Sequence, residues 1–280
     1  MKNVGKTFVA LACAAALLVG VPATPAAAAP VPLPAFDVPP AGANDYQCRP
    51  QRKQRPVILV HGTFGDQKSL LDPLSAALVD AGYCVFSFDY GNRATGPIED
   101  SAQELKRYTR RVLRATGAKK VSMVGHSQGG MMPRYYLKFL GGAKRVDDLV
   151  GIAPSNHGTE YTSESGPGAL LNPAVQYLCY ACVQQGSGSR FLTSLNAGDE
   201  TPGRVSYTQI ITRYDQVVVP ATNGYLAPGR RTTNVAVQDV CPHDPSEHLM
   251  IPTSKTTIAL VLDALGHRGP ARPRRVTCGS

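Results

Sequence analysis

The sequence predicts an α/β fold, with a mostly parallel central sheet covered by helices on both faces. Three observations carry this reading. Apolar, β-branched runs alternate with stretches of helical spacing along most of the chain. Pro56-Val-Ile-Leu-Val60 is continuously apolar, as expected of a strand buried on both faces. Val121 to Val124 leads through Gly125-His-Ser-Gln-Gly129 into a helical run from Met131 to Leu140, so a serine stands where a strand turns into a helix.

The elements follow in order. Helical spacing covers Gln67 to Ala81 through Leu70, Leu71, Leu74, Ala77 and Leu78. Tyr83 to Phe88 reads as a second strand. A long amphipathic helix spans Ile98 to Thr116 and ends at Gly117. After the serine turn, Pro133 lies close enough to the helix start to be tolerated. Asp148 to Ala153, Val205 to Tyr214 and Thr233 to Val240 read as further strands, and Pro252 to Leu265 as the last helix. His157 to Asn196 breaks the rhythm. It is rich in Gly, Ser, Asn and Tyr, and a stretch of that length without clear period reads as an inserted cap or lid.

The 280 residues divide into three parts. Residues 1–29 read as a secretory signal: Lys2 and Lys6, an apolar stretch from Phe8 to Val21, and small residues up to Ala29 for cleavage. Pro22 and Pro25 argue against a membrane anchor, and Cys13 stands too early for a lipoprotein signal. Residues 30–54 form a proline-rich, basic arm, and residues 55–280 the α/β domain with its cap at about 157–196. Past the signal, six cysteines remain. In an exported chain they imply disulfides, and pairing between sequence neighbours gives Cys48–Cys84, Cys179–Cys182 and Cys241–Cys278. No thioredoxin-like pattern surrounds Cys179-Tyr-Ala-Cys182, and a lone CxxC is poor grounds for zinc. The formal charge of +9, or +7 without Lys2 and Lys6, gathers in Arg49 to Arg55 and Arg268 to Arg275. With no recognition motif or interleaved aromatics, these runs read as a solvated basic surface that favours anionic interfaces, not as a nucleic-acid site.

A serine hydroxyl needs a base before it becomes nucleophilic. Ser127 at the strand–helix turn, with Gly125 and Gly129 allowing close passage, has the arrangement of a nucleophile elbow. In that arrangement an acid and then a histidine follow the serine along the chain. His248, just before the last helical region, fits the base better than His157, His243 or His267. Asp215, at a strand end, fits the orienting acid better than Asp199, Asp239 or Asp244. Oxyanion donors are expected after the nucleophile, at Gln128, and in the loop His61-Gly-Thr-Phe-Gly65, where Thr63 is preferred over Phe64. The apolar residues of the cap, with Phe64 and His126, are expected to line an acyl pocket, so Leu170, Leu171 and Tyr177 count as substrate-binding.

His61-Gly-Thr-Phe-Gly65, Gly125-His-Ser-Gln-Gly-Gly130, Asp215 with Val217-Val-Val-Pro220, and His248-Leu249 resemble the secreted bacterial triacylglycerol lipases of the α/β-hydrolase superfamily, the actinomycete class 2 group above all. Ser-Gln-Gly-Gly and the cysteine placement are also similar to lipase B of Candida antarctica. The resemblance runs from about Arg55 to Leu265, and His157 to Asn196 departs from it. It implies a hydrolase of carboxylic esters without organic cofactor or catalytic metal, with Ser127, Asp215 and His248 as triad and Thr63 and Gln128 as oxyanion donors. The implied partner is a lipid or ester substrate, met at an oil–water interface by a monomer without a membrane anchor. Two other readings use the same residues differently. A polyester or cutin esterase would need an open groove and a shorter cap, and a non-catalytic binding protein would keep the fold without reacting with a fluorophosphonate.

Overall fold

A computed structural model describes residues 38–51, 54–162 and 177–279. The expected signal peptide, Leu170 and Leu171 lie outside the described residues.

The strands β1 (Val57–Val60), β2 (Val85–Ser87), β3 (Val121–His126), β4 (Val146–Ile152), β5 (Ser206–Ile211) and β6 (Thr232–Ala236) form one sheet in the order β2-β1-β3-β4-β5-β6. Every neighbouring pair is parallel. Both faces are covered, so the residues of the central strand β1 are buried whatever their parity, which is why Val57–Val60 reads as an unbroken apolar run. Val57 and Leu59 join Val124, Val150 and Ile210 in the core on one face. Ile58 and Val60 join Met123, Leu149 and Tyr207 on the other. The helices are α1 (Asp72–Asp80), α2 (Ile98–Thr116), α3 (Gln128–Phe139), α4 (Tyr180–Gln184), α5 (Arg190–Asn196), α6 (Val237–Val240) and α7 (Lys255–Gly266). Leu74 and Leu78 of α1 and Leu260 and Val261 of α7 cover the first face. Ala102, Leu105 and Val112 of α2 and Met131 and Leu137 of α3 cover the second.

Several boundaries differ from the sequence reading, each for a local reason. Helix α1 begins at Asp72 and not at Gln67, because Leu70 takes a left-handed φ of 64° and Asp66 binds the amides of Lys68 and Ser69 in a turn. The stretch Thr233 to Val240, expected as one strand, is two elements. Strand β6 stops at Ala236, and Asp239 accepts a hydrogen bond from the Ala236 amide to open α6. The last helical pattern is also split. A 3₁₀ turn at Ile251–Thr253 precedes Ser254, whose hydroxyl caps α7 by accepting from Thr257 N.

The basic arm is not free of the domain in its described part. Asn44 donates its backbone N–H to the Val85 carbonyl and its side chain to the Ser87 carbonyl, and Tyr46 packs on Phe86. With the disulfide Cys48–Cys84, these contacts fasten residues 44–48 to the β2 edge. Cys179–Cys182 and Cys241–Cys278 are also bonded.

Candidate active site

Strand β3 hands over to helix α3 at Ser127, which stands at φ 55° and ψ −125°. A side chain at positive φ is strained. The surroundings hold it there: Ser127 N–H donates to the Ile152 carbonyl at 2.8 Å, and Gly130 N–H to the Ser127 carbonyl at 2.9 Å. Two glycines make the turn fit. A Cβ on Gly125 would lie 1.8 Å from the Gly129 carbonyl oxygen, and one on Gly129 2.2 Å from that of Val60. Helix α3 therefore starts at Gln128, three residues before the expected Met131, because the glycines themselves form its first turn.

The structure brings Ser127, His248 and Asp215 together. His248 Nε2 lies 3.1 Å from Ser127 Oγ, and His248 Nδ1 lies 2.8 Å from Asp215 Oδ2. With Nδ1 protonated and donating to the carboxylate, Nε2 faces the serine with its lone pair free. Asp215, in the loop after β5, accepts backbone N–H groups of Val217 at 2.9 Å and Val218 at 2.8 Å through Oδ1. Both partners are enclosed: the His248 side chain is 3 % exposed and that of Asp215 1 %. The rival residues are engaged elsewhere. His157 pairs with Glu200 and His267 with Asp263, while His243 is exposed on its loop. Asp239 pairs with Arg213, Asp199 closes its own turn on Thr201, and Asp244 accepts from Ser254 and Ser246.

Two further imidazoles support the arrangement. His126 donates from Nε2 to the His248 carbonyl at 2.8 Å. Burial, and then the nearby His248, hold its pKa down at about 3. His61 donates from Nδ1 to the Gly62 carbonyl at 2.9 Å, and burial lowers its pKa to about 4. Both rings thus stay neutral near pH 7. His126 holds the backbone of His248 and also lines the cavity at Ser127, where a substrate contact was expected for it.

The loop after β1 carries Thr63. Its Oγ1 accepts from Gln128 Nε2 and from Gln185 Nε2, each at 3.0 Å. Two acceptor positions are thereby used, and the hydroxyl proton is left to point elsewhere. Phe64 N–H already donates to the Arg93 carbonyl at 2.8 Å, so it is not available as an oxyanion donor. The holding segment Gly91–Ala94 is a left-handed turn with φ of 52–58° at its four residues. Gln128, as the first residue of α3, has a backbone N–H without an acceptor inside the helix.

A cavity of about 280 Å³ opens at Ser127. Its apolar lining comes from Phe64, Leu70, Leu71, Val217, Val218 and Leu249. Among the described residues, the cap segment contributes Thr159, Thr162, Cys182 and Gln185 instead of the apolar side chains expected. Tyr177 does not line this cavity and is about half exposed. Tyr161, Leu178 and Tyr180 are exposed as well, while Phe191 and Leu192 pack into the core. The sequence reading missed Gln185 and the aliphatic lining. Val217-Val-Val219 was a signal for the latter: an apolar run directly after a loop carboxylate. Among the described residues, no group of three or more His, Cys, Asp or Glu converges as a metal site.

The family profile Lipase (class 2) matches residues 54–260, well over half of the chain. The chain belongs to the class 2 lipase family. It is 38% identical over 118 residues to a triacylglycerol lipase of Pseudarthrobacter phenanthrenivorans, covering 38% of this chain and 34% of the relative. It is 34% identical over 118 residues to a triacylglycerol lipase of Burkholderia plantarii, covering 38% and 31%. The chain thus spans about a third of the length of these curated relatives. In three dimensions it is similar to Aspergillus fumigatus lipase B, with a TM-score of 0.71 and 24% identity over 85% of this chain and 57% of that one. It is also similar to the mature Bacillus licheniformis lipase BlEst2, with a TM-score of 0.56, 16% identity, and 73% and 89% covered. At these identities the likeness is one of fold, the α/β-hydrolase fold.

Proposed function

We infer that this chain is an exported serine carboxylic-ester hydrolase acting on acylglycerols or related esters. The observation that carries the reading is the hydrogen-bonded line from Ser127 Oγ through His248 to Asp215, at 3.1 and 2.8 Å. Ser127 Oγ attacks the ester carbonyl while His248 Nε2 takes its proton. Asp215 holds the Nδ1–H tautomer and stabilises the imidazolium. Backbone N–H groups of Thr63 and Gln128, with the Thr63 hydroxyl, receive the oxyanion. On collapse, His248 returns the proton to the leaving alkoxide. A water molecule then repeats the sequence on the acyl-enzyme and releases the acid. No cofactor enters this scheme. The disulfides and the leader-like sequence of residues 1–29 support export, and among the described residues no helix is long and apolar enough to cross a membrane.

The apolar cavity supports acyl chains longer than acetate, since each buried methylene contributes about 0.8 kcal/mol. Two measurements test the reading: labelling of native protein by a fluorophosphonate probe, and kcat/KM for p-nitrophenyl esters of graded length. Labelling of the wild type but not of Ser127→Ala is expected, with octanoate preferred over acetate and activity on emulsified triolein. Absence of label would favour the non-catalytic binding reading. A ratio at or below one with no triolein hydrolysis would make the enzyme a short-chain esterase.

A further inference from the structure

At the opposite end of the sheet from Ser127, the N-terminal ends of the strands border a second, polar cleft of about 960 Å³. Its cations come from segments far apart in sequence. Arg55 precedes β1, Lys120 precedes β3, Arg204 lies before β5, Arg230 and Arg231 lead into β6, and Arg268 follows α7. Arg55 and Arg268 belong to the two basic runs of the sequence, for which the proposed catalytic chemistry has no use.

Against these six cations the lining sets two carboxylates, Asp147 and Asp148. Asp147 is occupied by Arg55 at 3.0 Å and Lys120 at 2.9 Å. Asp148 faces inward and accepts from Ser122 Oγ at 2.9 Å. The other four cations are all arginines and all exposed, and among the described residues none of them pairs with a carboxylate. Arg231 is steadied by the Gly203 carbonyl at 2.9 Å.

Like charges gathered without counter-charges repel one another and favour an anion between them. Guanidinium forks match the oxygens of phosphate in pairs. Only Tyr83 and Leu265 supply large apolar side chains to the lining, so it offers no slot for an acyl chain and no aromatic platform for successive bases. A concave cleft also fits a flexible chain better than a flat bilayer.

We propose that this cleft binds a flexible phosphate-bearing polyanion and tethers the protein by the end of the sheet opposite its catalytic mouth. The serine cavity then stays open while the chain is held on an anionic matrix.

Inorganic polyphosphate is the probe, with binding to the full chain followed by calorimetry across a salt series. Two triple variants of equal charge are compared: Arg204→Gln/Arg230→Gln/Arg268→Gln in the cleft, and Arg107→Gln/Arg111→Gln/Lys119→Gln on the exposed surface of α2 and the turn after it. The cleft variant is expected to bind at least about tenfold more weakly, with the slope of log K against log salt shallower by about two to three. The α2 variant is expected to bind nearly as the wild type does. Because all six positions are exposed, both variants should fold, and unchanged thermal unfolding checks this. Hydrolysis of a soluble p-nitrophenyl ester is expected to continue at saturating polyphosphate. Equal losses in both variants would reduce the effect to net charge and overturn the proposal. So would absence of wild-type binding, binding of phosphatidylglycerol vesicles in place of polyphosphate, or competitive inhibition by polyphosphate. The binding arm does not depend on hydrolysis, so its failure is distinct from failure of the esterase reading.

Discussion

Ser127 carries the geometry of its proposed role in its backbone. At φ 55° the residue is strained, and the strain places Oγ above the sheet edge, where His248 Nε2 meets it at 3.1 Å. Replacing Ser127 or His248 with Ala is expected to lower kcat by at least about a thousandfold with folding intact. Asp215→Ala should cost less, because the backbone contact from His126 still holds His248 in place. Near-normal turnover in His248→Ala beside an inactive His243→Ala would reassign the base. Thr63 offers a finer test. Thr63→Val keeps the backbone N–H but removes the hydroxyl, so kcat should fall by roughly a hundredfold with KM little changed. Thr63→Ser should restore most of the rate. A Val variant that changes KM alone would show the hydroxyl acting in binding and not on the oxyanion.

The strand–turn–helix element depends on two backbones passing close together. The Cβ of Gly129→Ala would meet the carbonyl oxygens of Val60 at 2.2 Å and His61 at 2.3 Å, so β1 and α3 would have to separate. Backbone cannot yield as a side-chain tip can. Gly129→Ala is therefore expected to lose more than about 3 kcal/mol, or to fail to accumulate as soluble protein. Gly117→Ala, at the end of α2 with open space around it, should lose only about 1 kcal/mol through its φ of 71°. Denaturant unfolding of the two variants checks the contrast. The same elements show what the sequence makes legible. A parallel strand buried on both faces needs no polar face, so Val57–Val60 stands out as an apolar run, Val121–His126 is marked by the Gly-His-Ser-Gln-Gly turn it leads into, and α2 announces its end with Gly117. The start of α1 was hidden, because Leu70 adopts a left-handed φ that nothing in its side chain signals. The break at Ala236 was hidden because Val237 and Gln238 are buried as helix just as a strand would bury them. Ser127, Asp215 and His248 could be singled out because chain order constrains them. The cavity lining could not be assigned, because Leu70, Val217 and Leu249 meet only through three separate loops.

At the scale of the molecule, the disulfides and the buried charges set how the fold responds to its medium. Cys241–Cys278 ties the end of the chain to the loop that leads to His248. Thiol titration of denatured, unreduced protein lacking residues 1–29 should find none of its six cysteines free. Reduction is expected to lower activity before the sheet unfolds, with each bond contributing typically about 2–4 kcal/mol to stability. The pH response turns on Asp148 at the far end of the sheet. Burial raises its pKa from 3.8 to about 6. Between those values the folded chain holds a proton that the unfolded chain has released, so this group's contribution to stability falls as pH rises through that window. The fall is complete above about pH 7 and amounts to roughly 2–3 kcal/mol at most. Other groups work in the opposite sense. Glu200 is held down to about 2, chiefly by its hydrogen bond with His157, and loses stabilisation as pH drops below its ordinary value. His61 and His126, buried neutral, do so below about pH 6.5. The wild-type curve therefore mixes both signs, and the difference between wild type and Asp148→Asn isolates the carboxyl. Asn keeps an acceptor for Ser122 Oγ but cannot ionise. Its Tm advantage should be a few degrees larger at pH 8 than at pH 4. An advantage of the same size at both pH values would mean that Asp148 does not ionise at a cost in the folded chain.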